Sequence, residues 1–174
     1  MPKFKDIKQL TDPGSYRINV QWNYLENALA EYLNPGCGAV LDMDPPFQRA
    51  HVWTQEQQTA YVEFCLRGGK SSDEILFNCV GWNHDFRGPF VLVDGKQRLQ
   101  AVRQFLANEV PVFGQFLFKD FTDNIRMLRP NFIFRINNLP TEEAVLKWYL
   151  ELNAGGTPHT KEELDKVRRM LEKK

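Results

Sequence analysis

The chain reads as a mixed α+β fold, with a small mixed sheet and a helix-rich C-terminal third. Three observations lead there. Short runs rich in β-branched and aromatic residues recur at 16–20, 39–43, 74–80, 90–93, 112–118 and 131–136, with the length and composition of strands. Longer segments lie among them, and the first has apolar residues returning at three- and four-residue steps. Two of the longer segments open with capping boxes, Thr54 with Gln57 and Thr160 with Glu163.

Taken in order, residues 16–20 make a short strand and 22–33 a helix, whose Trp22, Leu25, Leu29 and Leu33 share one face before Asn34-Pro35-Gly36 ends it. Residues 39–43 are a candidate strand, stopped by Pro45-Pro46. The helix opened by Thr54 runs to Leu66, ahead of Gly68-Gly69. Strands at 74–80 and 90–93 flank the turn-rich Gly81-Trp82-Asn83-His84-Asp85. A central helix follows at 97–106, then strands at 112–118 and 131–136. Thr141 caps a helix through Leu152, and the Thr160 helix ends in Arg168, Arg169, Lys173 and Lys174, cations that suit a helix C-terminus.

One domain over residues 1–174 is expected from the length, and 43% hydrophobic with 25% charged residues is an ordinary globular composition. No apolar run approaches a membrane span, and Met1-Pro2-Lys3-Phe4-Lys5-Asp6 lacks the apolar segment of a signal peptide, so a cytoplasmic protein with no membrane partner is expected. Cys37, Cys65 and Cys79 show no Cys-x-x-Cys spacing and read as reduced thiols. Formal net charge is zero, so nucleic-acid contact needs a local basic patch rather than a whole-protein field.

Three constellations carry chemistry. In the first, the strand ending at Val93 meets the central helix through Asp94-Gly95-Lys96-Gln97-Arg98. Amides at a helix N-terminus favour anions, glycine admits a ligand close to the backbone, and Lys96 and Arg98 add cations suited to phosphate. Asp94 can hold a magnesium ion or accept a proton. The same residues also read as an Asp-Gly turn with solvated charges. In the second, Asp42, Asp44, Gln48 and Arg49 surround Pro45-Pro46, which stiffens the loop and so holds an arginine fork in place; the alternative is a plain turn with Phe47 and Trp53 as core anchors. The third is Asn153-Ala154-Gly155-Gly156, leading to the Thr160 helix, either a second anion contact or a connector. His51, His84 and His159 have no metal-ligand spacing. Phe113, Phe116, Phe118, Phe121, Phe132 and Phe134 read chiefly as core, and Arg126, Arg129 and Arg135 as a solvated face or a strip for a phosphate backbone.

In this order, Pro46-Phe47-Gln48-Arg49…Trp53, Val93-Asp94-Gly95-Lys96-Gln97-Arg98-Leu99 and Leu152-Asn153-Ala154-Gly155-Gly156…Thr160…Glu163-Leu164 resemble the DGQQR-motif family of ParB/sulfiredoxin-like domains. Such domains form the N-terminal half of GmrSD-type modification-dependent restriction enzymes. The resemblance covers about residues 40–167. It implies a ParB/sulfiredoxin fold that binds ATP or another nucleoside triphosphate and acts with a divalent metal, Mg2+. Gln48, Arg49, Gly95, Gln97 and Asn153 match the family's nucleotide-contacting positions, and Asp94 and Arg98 complete the motif. Lys96 departs from it, since glutamine is usual there; in sulfiredoxins that position looks like the reactive cysteine's.

Restriction members carry a nuclease domain of His-Asn-His type, and the sequence holds no such constellation. The resemblance therefore leads to an expected free-standing phosphotransferase, in which Arg49, Lys96 and Arg98 neutralise charge and Asp44 or Asp94 takes the acceptor's proton. Its expected acceptor is a hydroxyl on modified DNA, such as hydroxymethyluracil of a phage genome. A nucleotide-hydrolysing module serving a separate nuclease or toxin subunit, and a ParB-like nuclease, are the alternatives.

Overall fold

The computed structural model describes residues 3, 7, 16–34, 38–70, 72–123, 128–153 and 161–172. Five strands, β1 (Tyr16–Gln21), β2 (Leu41–Asp42), β3 (Glu74–Cys79), β4 (Phe90–Asp94) and β5 (Asn131–Asn137), form one mixed sheet in the order β1-β5-β3-β4-β2. Five α-helices accompany it: α1 (Leu25–Leu33), α2 (Gln55–Leu66), α3 (Lys96–Leu106), α4 (Glu142–Asn153) and α5 (Lys161–Glu172). The α+β class and the helical C-terminal third agree with the sequence.

Side-chain alternation divides the core in two. Val20, Ile75, Phe77, Cys79, Phe90, Leu92, Phe132, Phe134 and Ile136 turn to one face, where Leu25 and Leu29 of α1, Val62 of α2 and Leu99, Val102 and Phe105 of α3 cover them. Phe77, Phe90, Phe132 and Phe134 are fully buried, with Phe77 and Phe134 stacked edge to face at 5.0 Å. Leu76 and Val93 turn to the other face, onto Phe47, Val145, Leu146, Trp148 and Tyr149, with Val167 of α5 behind. A register shift between Leu76 and Phe77 breaks the β3–β4 ladder beside Val93. Asn78 is buried but satisfied: its amide donates to Leu139 O at 3.1 Å and its Oδ1 accepts from Leu139 N at 2.8 Å, fixing the exit from β5.

Both bonds of the Thr54–Gln57 capping box are present, and Thr141 Oγ1 accepts from Ala144 N at 3.2 Å ahead of α4. The Thr160 cap lies outside the described residues, as do Cys37, Arg126 and His159. Four expectations need correction. Residues 112–118 are not a strand: Val112 and Phe116 bond to each other across a three-residue loop, and Phe118–Asp120 is a 3-10 turn. Phe113 and Gly114 have φ of 51° and 91°, so the glycine folds an apolar run back on itself. The candidate strand at 39–43 shrinks to Leu41–Asp42, a short edge parallel to β4. The helix beginning at Trp22 starts as a 3-10 turn and becomes α-helical at Leu25. Phe113, Phe116 and Phe121 stay exposed rather than joining the core.

Candidate phosphate-binding site

At the C-terminal end of β4 the chain turns through Gly95 into α3. Gly95 has φ of 99°, and a Cβ there would lie 2.6 Å from Ile75 Cδ1 and 3.3 Å from Glu74 O. Glycine is required by both conformation and space. No side chain caps α3 and no acidic residue stands in its first turn, which leaves first-turn amides and the positive end of the helix dipole without a carboxylate of their own.

This turn forms one wall of a cavity of about 230 Å³. Gln48, Arg49 and Trp53 line it from the loop before α2, Asp94 to Arg98 from the turn, and Tyr149, Leu152 and Asn153 from the end of α4. The three separated segments thus meet at one place. Asp44 does not line the cavity, but its exposed carboxylate is ion-paired with the Lys96 ammonium.

Several of these side chains hold the site's shape. Gln48 Nε2 donates to Leu92 O at 3.1 Å and Val93 O at 2.6 Å, anchoring its loop on the end of β4. Gln97 is buried and fully engaged: its Oε1 accepts from Val52 N at 2.9 Å and Trp53 N at 3.2 Å, and its Nε2 donates to Ala50 O at 3.0 Å. Both glutamines therefore act on backbone, positioning the loop that carries Arg49. Lys96 Nζ donates to Arg49 O at 3.0 Å, a third tie between turn and loop. Asn153 Nδ2 donates to Tyr149 O at 2.7 Å.

The groups left for a ligand follow from that bonding. Arg49 is half-buried in the cavity wall, and among the described residues its guanidinium has no hydrogen bond or ion pair. Arg98 Nη2 donates to Asp94 Oδ2 at 2.7 Å and Glu74 O at 2.9 Å, while its buried Nε has no partner among the described residues. Asp94 Oδ1 accepts from no described residue. A magnesium ion takes one or two carboxylate oxygens and fills its remaining positions with water and phosphate, so this single open oxygen suits one shared with a bound polyphosphate. Among the described residues no three acidic, histidine or cysteine side chains cluster as an all-protein metal cage.

Behind the loop, His51 Nε2 accepts from the buried Gln58 amide at 2.5 Å, and its Nδ1 is buried without a partner among the described residues. Burial first, and the Lys96 charge second, push its pKa below the ordinary 6.5, which keeps the ring neutral. Cys65 and Cys79 are buried, and burial pushes their thiols up, as befits unreactive cysteines.

Sequence reading did not anticipate Ser72 and Tyr149 in the wall. Trp53 was expected as a core anchor; it stacks on Tyr61 at 5.4 Å and also lines the cavity. Only chain folding brings the lead-in to β3 and Tyr149 of α4 to this turn, and no local motif marks those two positions. Comparison with protein-family models, with curated proteins and with solved structures gives no match to this chain.

Proposed function

We propose that this protein is a phosphotransferase of the ParB/sulfiredoxin type that takes its phosphoryl group from ATP or another nucleoside triphosphate. The observation carrying the reading is the convergence of Arg49, the uncapped α3 N-terminus and the Lys96–Arg98 turn on one small cavity. Its volume, about 230 Å³, lies under the roughly 300 Å³ at the low end of small-molecule pockets. That suits a polyphosphate chain, with the nucleoside directed outward.

In this proposal the α3 amides and Arg49 bind the terminal phosphate. Lys96 lines the cavity, and its ammonium, held between Asp44 and Arg49 O, ties the turn to the loop. Asp94 accepts the proton of an acceptor hydroxyl through Oδ1, with Arg98 orienting the carboxylate through Oδ2. Asp44 is the alternative base, but its exposure and its pairing with Lys96 favour Asp94. Magnesium, when bound, would neutralise phosphate charge; were Asp94 Oδ1 to hold it, Asp44 would be left to take the acceptor's proton. Positioning and charge neutralisation are the requirements of phosphoryl transfer, and this constellation offers both.

The acceptor proposed is a hydroxyl on modified DNA. The test is to incubate the protein with γ-labelled ATP, magnesium and hydroxymethyluracil-containing DNA and to follow the label. Label on DNA supports the kinase. Label released as free phosphate supports instead a hydrolysing module that works with a partner subunit. Neither transfer, nor release, nor nucleotide binding would remove the phosphate-site reading altogether.

A further inference from the structure

The cavity wall is not uniformly polar. Beside its charged residues it includes Trp53 and Leu152. Leu152 is 37% exposed and Trp53 is half-buried, so both leave apolar surface uncovered. Tyr149, the other aromatic residue of the wall, is buried and packs on Phe47 with ring centroids 5.2 Å apart. A lone exposed leucine is ordinary on a protein surface. An indole and a leucine in the wall of a cavity that also holds Arg49 and the α3 N-terminus form instead the mixed lining of a small-molecule site.

Trp53 is fixed by its main chain and by its ring. Its N–H donates to Gln97 Oε1 at 3.2 Å, and its carbonyl accepts from Gln58 Nε2 at 3.4 Å. The indole packs on Tyr61 at 5.4 Å, and the Tyr61 hydroxyl donates in turn to Ser72 O at 3.1 Å. A ring held in this way loses little freedom when a second ring settles on it. Trp53 and Arg49 also belong to one loop, whose backbone Gln97 and Lys96 tie to the turn before α3. The loop that presents the open guanidinium therefore presents an aromatic surface as well.

We propose that Trp53 and Leu152 form the nucleobase subsite of this cavity, Trp53 by stacking and Leu152 by apolar contact. The inference rests on the phosphotransfer reading, which supplies the phosphates that the polar part of the wall binds. A cavity of about 230 Å³ takes the phosphates, and the nucleoside that projects from it meets the two residues that keep apolar surface open. Stacking accepts any base, because every base has a π-face. The subsite therefore separates nucleotides from inorganic polyphosphate without choosing among bases. Charge alone gives the opposite order, since tripolyphosphate carries more negative charge than ATP and offers nothing to stack.

The test is calorimetric titration, in magnesium, with ATP, GTP, CTP and sodium tripolyphosphate. The parent is expected to bind each nucleotide about tenfold more tightly than tripolyphosphate. Trp53→Leu should weaken ATP binding about tenfold and leave tripolyphosphate within about twofold, and Trp53→Phe should restore most of the ATP affinity. Leu152→Ser should weaken ATP binding about threefold; at an exposed position it keeps the test independent of any folding loss in Trp53→Leu. ATP should quench part of the emission of the four tryptophans, tripolyphosphate should quench none, and Trp53→Phe should remove the effect. Tripolyphosphate bound by the parent as tightly as ATP overturns the proposal without any variant. Tight binding of one nucleotide alone, or equal loss of ATP and tripolyphosphate in Leu152→Ser, overturns it too. A parent that binds tripolyphosphate and ATP alike keeps the phosphate site and sinks the base subsite alone. A parent that binds neither sinks the phosphotransfer reading and the subsite together.

Discussion

Replacing Gln97 by leucine tests whether the cavity depends on a buried amide that holds the Arg49 loop. The substitution removes two bonds accepted from Val52 and Trp53 and one donated to Ala50. At a net 0.5–1.5 kcal/mol each, the loss is roughly 1.5–4.5 kcal/mol. Val52 and Ala50 are exposed, so water can reach part of the freed backbone and the expected value falls near the lower half, about 2 kcal/mol. Gln97→Glu is the sharper variant. It keeps both accepted bonds, loses the one to Ala50, and adds a negative charge in the first turn of α3, where the helix dipole favours it. Burying the carboxylate against Ala50 O costs roughly 2–4 kcal/mol, only partly offset by the helix dipole, and its charge opposes bound phosphate. Urea denaturation gives the stability difference, and fluorescence titration with a labelled triphosphate gives affinity. Both variants should lose stability and affinity, and the glutamate variant should lose more affinity than the leucine variant at equal stability. If Gln97→Leu costs under about 0.5 kcal/mol and binds nucleotide normally, the loop is not held by this amide and the argument fails.

Gly95→Ala should destabilise by roughly 1–3 kcal/mol, from the left-handed conformation and the approach of Ile75 and Glu74; an unchanged urea midpoint would show that the turn relaxes freely. Arg98→Ala should abolish nucleotide-dependent activity and, through its bonds to Asp94 and Glu74 O, also lower stability by roughly 1–2 kcal/mol, whereas retained turnover would mean that the phosphate site is misplaced. His51 predicts a pH dependence. Its folded pKa lies below 6.5, so the unfolded chain binds the proton more readily and stability falls as pH drops below about that value. Between pH 7.5 and 5 the melting temperature of His51→Asn should fall less steeply than that of the parent, and identical slopes would remove His51 from the account.

Much of the fold was legible because its causes are local. Strand residues with one buried face alternate, as in Phe132, Phe134 and Ile136, and the Thr54–Gln57 box is a bond between near neighbours. Residues 112–118 misled for a related reason. Their apolar pattern suits a strand, while Gly114 in the middle permits the reversal that the structure takes. Of the candidate site, Asp94-Gly95-Lys96-Gln97-Arg98 announced itself through a strand, a glycine and cations in succession.

The sequence by itself determined the α+β class, the place of the turn before α3 and the set of polar residues able to meet an anion, since propensity, periodicity and capping act over a few residues. Tertiary structure alone decided which of those residues are open to a ligand. Gln97 and Gln48 look like ligand contacts as letters, yet both bond backbone more than forty positions away in the chain. Arg49 keeps its guanidinium open because Gln97 and Lys96 hold its loop by the main chain. β1 pairs with β5, placing Arg17 opposite Arg135, and strand pairing across more than a hundred residues leaves no trace in either segment alone.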